Sequence, residues 1–102
     1  LSGATIAITG GINRPPLEES STLSLYERIE ASAKKLGRSE IGKIAVGGAS
    51  DGNFAAAAGA KVLDGLGAIG DGAHASHEQI SISGMNSQVI LLNQFMKDLL
   101  SE

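Results

Sequence analysis

Ile41-Gly42-Lys43-Ile44-Ala45-Val46-Gly47-Gly48-Ala49-Ser50-Asp51-Gly52-Asn53-Phe54 is the stretch that decides how this chain reads. Residues 41–46 are a short apolar run, the pattern of a buried strand. Phe54 to Ala58 is Ala-rich and reads as a short helix stopped by Gly59. Between them lies a turn with little side-chain bulk. Strands alternating with helices point to α/β layering. The turn lets a ligand come close to main-chain N–H groups, and the helix N-terminus behind it adds partial positive charge. An anion such as a substrate carboxylate would suit Gly47, Gly48, Ser50, Asp51, Gly52 and Asn53. The segment is not a Walker loop, because the Gly-Lys-Ser/Thr ending is absent, and its glycine spacing is not that of a dinucleotide fingerprint. The plainer reading is a tight turn with Ser50 or Asp51 as helix N-cap.

Upstream, Ala4 to Thr9 alternates Thr5, Ala7 and Thr9 against Ile6 and Ile8, a half-buried strand pattern closed by Gly10-Gly11. Asn13-Arg14-Pro15-Pro16 is a stiff, non-helical connector. Ser24 to Leu36 reads as a helix with Leu25, Ile29 and Leu36 on one face and small Ser32 between them. Ser24 with Glu27 makes a capping box, and Lys34, Lys35 and Gly37 stand where a helix ends. Downstream, Lys61 to Leu63 suggests another strand, Gly65 to Ala75 a glycine-dense loop, and Gln79 to Ser83 a strand alternating around Ile80 and Ile82. The clearest helix spans about Asn86 to Leu100. Met85, Val89, Leu92, Met96 and Leu99 form its apolar stripe, widened by Ile90, Leu91 and Phe95. Three helices and four or five short strands are expected.

The bulk composition narrows the function classes. The 102 residues suffice for one small domain. A net charge of −3 offers no basic surface for nucleic acid or acidic lipid. With only three aromatic residues (Tyr26, Phe54, Phe95), a base-stacking platform is disfavoured. The absence of cysteine removes disulfides and thiolate metal sites. No apolar run approaches the roughly 20 residues of a membrane helix, and the cytoplasm is the expected compartment. The chain opens on Leu1 within a strand-like pattern, which suggests a fragment or a processed chain.

Two further groups could carry chemistry. His74-Ala75-Ser76-His77-Glu78 places two imidazoles and a carboxylate close together, as a metal site would need. The spacing is not that of a zincin helix, and surface loop histidines are the alternative. Arg14, stiffened by Pro15-Pro16, could clamp a carboxylate bidentately; a solvated or capping arginine is the alternative.

Taken in order, Asn13-Arg14-Pro15-Pro16, Gly47-Gly48-Ala49-Ser50-Asp51-Gly52-Asn53, Asp64-Gly65-Leu66-Gly67 and Gly70-Asp71-Gly72-Ala73-His74, then Glu78 and an alternating strand, resemble one family. It comprises the zinc-dependent glutamate carboxypeptidases, acetylornithine deacetylases, succinyl-diaminopimelate desuccinylases and aminoacylases, and the likeness is to their C-terminal region. The resemblance implies that residues 1–12 are the last strand of a lid (dimerisation) domain. Residues 13–102 would be the returning C-terminal segment of a zinc-peptidase-like α/β catalytic domain, with helices packed on a mixed sheet. It implies a centre of two zinc ions bridged by a carboxylate and a water, with a glutamate base that activates the water against an amide carbonyl. It makes His74 a zinc ligand, leaves His77 uncounted and gives Glu78 a structural or supporting place. Arg14, Gly47, Gly48, Ser50, Asp51, Gly52 and Asn53 become the substrate-carboxylate site. The His-X-Asp pair, the bridging Asp and the Glu-Glu pair of that family are missing from these residues. The expectation is therefore of a chain inactive and without zinc by itself. It would act on a peptide or N-acyl amino acid only together with the missing N-terminal part, with a homodimer as a further possibility. The alternative reading is a non-catalytic α/β binding or interaction module with an anion-binding glycine loop.

Overall fold

Two helices hold the core. A computed structural model describes residues 2–38 and 41–101; Leu1, Ser39, Glu40 and Glu102, which fall within the two expected segments, lie outside the described residues. In chain order the elements are a 3-10 turn at Glu19–Ser21, α1 at Leu23–Lys35, α2 at Asp51–Ala57, β1 at Gly70–Asp71, β2 at Gln79–Ile80 and α3 at Ile82–Leu100. The described residues thus mix three α-helices with a two-stranded antiparallel sheet, in which Gly70 faces Ile80 and Asp71 faces Gln79.

The expected face of α1 is the one that packs. Ile29, Ser32 and Ala33 are buried, and Ile29 and Ala33 meet Leu91 and Phe95 of α3. Leu25, Leu36, Ile41, Leu63, Leu66 and Leu99 close around that cluster. Small Ser32 and Ala33 let the helices approach. The Ser32 hydroxyl, fully enclosed, donates to Asp98 Oδ2 at 2.6 Å. Lys35 Nζ and Gln94 Nε2 donate to Asp98 Oδ1 at 2.8 and 2.9 Å. The Lys35 hydrogen bond, and after it that of Ser32, holds the Asp98 carboxyl down at about 2. A polar bolt therefore sits beside the apolar contact and fixes the pairing of the two helices.

The ends of α1 differ in how well they match the sequence. The C-terminus behaves as expected: Gly37 takes φ 71, its N–H reaches the Lys34 carbonyl at 3.0 Å, and the Arg38 N–H reaches that of Ala33 at 3.0 Å. This paired 6→1 and 5→2 closure needs a left-handed residue, which glycine supplies without strain. At the other end the Ser24–Glu27 box does not form. The helix begins one residue earlier, behind Thr22, whose side chain makes no capping bond.

The apolar face of α3 lies elsewhere than the stripe implies. Leu91 and Phe95 are buried, whereas Val89 and Met96 are 57% and 54% exposed; Leu92 and Leu99 are half-buried. The helix has a wide apolar face opposite a polar one that carries Asn86, Asn93 and Lys97, and α1 covers only one strip along the edge of the apolar face. That strip is chosen by Asp98 and Leu91, which match Ser32 and Ile29 across the interface, not by the highest density of apolar residues. The start of α3 is also earlier than expected. Ser81 caps the helix by accepting from the Gly84 N–H at 3.0 Å, so Ile82 belongs to the helix and the strand ends at Ile80. The alternation of Ile80 and Ile82 runs across a helix boundary that periodicity alone does not reveal.

Three expected strands find no partner strand among the described residues. Residues 4–9 carry Ile6 and Ile8 at 88% and 93% exposure and enter no ladder. Residues 41–46 are not buried: only Ile41 is tucked in, its carbonyl accepting the Tyr26 hydroxyl, while Ile44 is 86% exposed. Residues 61–63 make a single backbone bond, Val62 N–H to the Ser21 carbonyl at 2.9 Å. An apolar pattern sets which face a strand would bury, but a strand also needs a second strand for its N–H and C=O groups. The cost is visible in the shape. The radius of gyration is 18.2 Å, against about 13 Å for a compact chain of this length. The accessible surface is 7858 Å², against about 5,400 Å² for a compact chain of this mass.

A urea denaturation series at neutral and acid pH checks this packing. Phe95→Ala should lose about 3–5 kcal/mol, and exposed Met96→Ala no more than about 1 kcal/mol. The Asp98 carboxyl is depressed in the folded chain, so its contribution is present above its unfolded value of about 4 and disappears as pH falls through about 2. Asp98→Asn should therefore flatten the acid limb between those values. Equal losses at Phe95 and Met96, or an acid limb unchanged in Asp98→Asn, would contradict the assignment.

Candidate functional site

Three stretches far apart in sequence converge at the start of α2. Ser50 is its N-cap. The Ser50 hydroxyl accepts from the Gly52 N–H at 3.1 Å, and the Ser50 N–H donates to Asn53 Oδ1 at 3.1 Å, a reciprocal capping box. Asn53 is buried and donates through Nδ2 to the Pro15 carbonyl at 3.0 Å. Arg14 returns the connection: Nη1 donates to the Ser50 carbonyl at 2.8 Å, and the guanidinium lies 4.1 Å from the centre of the Phe54 ring. Its Nε donates to Asn13 Oδ1 at 2.9 Å. The double proline keeps this connector from folding into helix, so Arg14 is delivered sideways onto the α2 turn.

Asp64 is the third arrival. The Ser50 hydroxyl donates to its Oδ2 at 2.6 Å, and the Gly65 N–H donates to its Oδ1 at 2.7 Å. Gly52 is where the close approach requires glycine: a Cβ there would stand 3.0 Å from Val62 Cγ1 and 3.1 Å from Ser50 Oγ. Farther on, Gln88 of α3 donates to the Gly67 carbonyl at 3.3 Å and ties the Asp64–Gly67 loop to the helix pair.

The arrangement limits what the turn can do. The Gly52 N–H, the Asn53 N–H and the Ser50 N–H are spent within the capping box. Asp51 is fully exposed 4.0 Å from Arg14, and its charge opposes an incoming anion. Gly47 and Gly48 are exposed and stand clear of the cluster. Of the expected carboxylate site, the structure brings Arg14, Ser50, Asp51, Gly52 and Asn53 together and leaves Gly47 and Gly48 beside them. Arg14, whose side chain is 28% exposed, makes its hydrogen bonds through Nε and Nη1.

His74 lies apart from this cluster. It occupies a tight turn closed by the Ala75 N–H on the Gly72 carbonyl at 2.8 Å, and its backbone is left-handed, φ 66. Its side chain is exposed. His77 is exposed as well. Its ring covers Gly72, where a Cβ would stand 2.6 Å from His77 Cδ2. The residues fail as a self-sufficient zinc centre: among the described residues no three of His, Cys, Asp and Glu group closely enough to hold a metal ion, and a zinc site takes three or four protein ligands. His74 could serve only as one ligand among others supplied from outside these residues.

Neither a protein-family model, nor a curated protein, nor a solved structure matches this chain. Among the described residues, no helix is long and apolar enough to cross a membrane.

Asp64 was not legible as part of the cluster. Its sequence signal is only a carboxylate before glycine, and nothing in one dimension says which hydroxyl it will accept from. A cycle of Ser50→Ala, Asp64→Ala and the double variant measures the join. Hydrogen exchange of α2 amides should show each single change weakening that helix by about 1 kcal/mol, with the double variant losing clearly less than the sum. Strict additivity would show that the 2.6 Å contact contributes nothing.

Proposed function

We propose that this chain is the C-terminal portion of an amide-bond hydrolase of the zinc carboxypeptidase and deacylase type, inactive by itself. In this reading it contributes the substrate-carboxylate clamp at Arg14 and one metal-facing imidazole at His74. The observation that carries the reading is the meeting of Arg14 with Ser50, 36 residues away in sequence, at 2.8 Å. The resemblance places both motifs at the substrate carboxylate, and their contact is compatible with that reading. Phe54 and the Ser50 carbonyl orient the guanidinium for a substrate carboxylate. Asp64 acts through Ser50 as a positioning residue.

The uncovered surface adds support. A helix whose wide apolar face is only partly covered and three strand-like segments without ladders are what a catalytic domain leaves behind when its sheet is supplied elsewhere. The helices-on-mixed-sheet architecture, the lid assignment of residues 1–12 and the two zinc ions all belong to this reading. So does the N-terminal part that supplies the remaining ligands. A small peptide or an N-acyl amino acid is the substrate class. The second reading, a non-catalytic interaction module, is favoured by one feature, the exposed Ile6, Ile8 and Ile12 in residues 4–12.

The test uses the complete enzyme. His74→Ala should lose zinc and turnover together, whereas His77→Ala should keep both and lose only thermal stability through its contact with Gly72. Full zinc and turnover in His74→Ala, or their loss in His77→Ala alone, would overturn the assignment.

A further inference from the structure

The chain contains three Asp-Gly pairs, Asp51-Gly52, Asp64-Gly65 and Asp71-Gly72. We propose that Asp71-Gly72 is a site of spontaneous modification, at which Asp71 converts to isoaspartate through a cyclic imide, and that the fold protects the other two pairs. In this conversion the Gly72 nitrogen attacks Cγ of Asp71. An N–C bond forms, the Cγ–OH bond breaks, and the hydroxyl leaves with the nitrogen's proton as water. Solvent water then opens the imide ring. Cleavage at Cγ restores aspartate. Cleavage at the main-chain carbonyl routes the backbone through Cβ and Cγ and frees the α-carboxylate. Only water is exchanged, first released and then consumed. The step demands a nitrogen close to the carboxyl, no side chain shielding that nitrogen, and a carboxyl free to turn its face toward it.

Asp71-Gly72 meets all three demands. The Gly72 N–H donates to Asp71 Oδ1 at 2.8 Å, so nucleophile and carboxyl are already in contact. Asp71 is exposed, and its carboxyl makes no other hydrogen bond among the described residues. Glycine is required at 72: its φ is 75, and a Cβ there would stand 2.6 Å from His77 Cδ2. The strand β1 is only Gly70–Asp71, so little ladder resists the turn of the carboxyl. Asp64-Gly65 shares the approach, with the Gly65 N–H donating to Asp64 Oδ1 at 2.7 Å, but its carboxyl is pinned by the Ser50 hydroxyl, which donates to Oδ2 at 2.6 Å. Turning that carboxyl breaks the bond. Asp51-Gly52 lacks the approach: the Gly52 N–H is committed to the Ser50 hydroxyl at 3.1 Å, inside the first turn of α2. Conversion at Asp71 adds a backbone carbon beside the Asp71–Gln79 pair, just before the Gly72–Ala75 turn that carries His74. The chemistry uses none of the Arg14 contacts and stands whether or not the amide-hydrolase reading does.

Ageing the full chain in neutral buffer at body temperature, once folded and once in urea, tests the proposal. Isoaspartate is counted at each pair by peptide mapping, with methyl transfer from S-adenosylmethionine by protein isoaspartate methyltransferase as the probe. Each folded rate is divided by the rate of the same pair in urea, which removes the effect of neighbouring sequence. On this scale Asp71 should outpace Asp64 about tenfold, the rate equivalent of one hydrogen bond to a charged group, and Asp51 should trail Asp71 as well. Ser50→Ala should raise Asp64 toward the rate of Asp71 and leave Asp71 itself unchanged. A folded Asp71 no faster than Asp64 or Asp51 would overturn the proposal, and so would an Asp64 rate that Ser50→Ala does not move.

Discussion

The contact of Ile29 and Ala33 with Leu91 and Phe95 is the only fully buried apolar cluster among the described residues, and the rest of the structure is arranged on it. Ser32 and Asp98 lie beside it, and their 2.6 Å bond selects which strip of α3 faces α1. Leu63 and Leu66 pack against the same cluster. Through them the loop bearing Asp64 is held in place, and through Asp64 so is the cap of α2. Arg14 then meets that cap. The candidate site is thus three steps removed from the core: the first is apolar packing, and the next two are polar contacts at a helix end. Hydrogen bonds of this kind, part-buried at Arg14 and exposed at Asp64, contribute modest net stability and mainly specify position.

One small cluster cannot cover what the sequence exposes. Val89, Ile90 and Met96 on α3, Ile44 and Val46 before the glycine turn, and the isoleucines of residues 4–12 all face outward. Their patterns are those of elements that bury both sides of a helix or one face of a sheet. Association with further polypeptide is the economical outcome for such a surface. It fits a larger hydrolase that supplies a sheet. The Arg14 cluster, by contrast, is already organised. Its capping box, its aromatic contact and its bond to Asp64 form among the described residues themselves.

How much of this was legible depended on whether the determinant was local. The α1 face and its glycine closure could be read because a helix satisfies its own backbone and its cap is set by neighbouring residues. The Ser50 cap could be read as one of two alternatives, and the structure selects it. Strands could not be read in the same way: Ala4–Thr9 has the right alternation, but its pairing partner is not encoded in the stretch itself. The stripe on α3 failed for a related reason, since a wide apolar face leaves the choice of strip to whatever packs against it. Arg14 was legible as a stiffened cation near a turn, while its target, the Ser50 carbonyl, was not. His74 and His77 look alike in sequence; only the left-handed turn at His74 and the packing of His77 over Gly72 separate them.

The central claim is that this chain acts as part of a larger zinc enzyme. Intact mass and zinc content, measured together on the polypeptide purified from its native source, test it most directly. The account predicts a polypeptide several times heavier than 10.3 kDa that carries this sequence at its C-terminal end. It also predicts about two zinc ions per polypeptide, in keeping with a paired-metal hydrolytic centre. A native 10.3 kDa chain that copurifies with neither zinc nor a second polypeptide would contradict it.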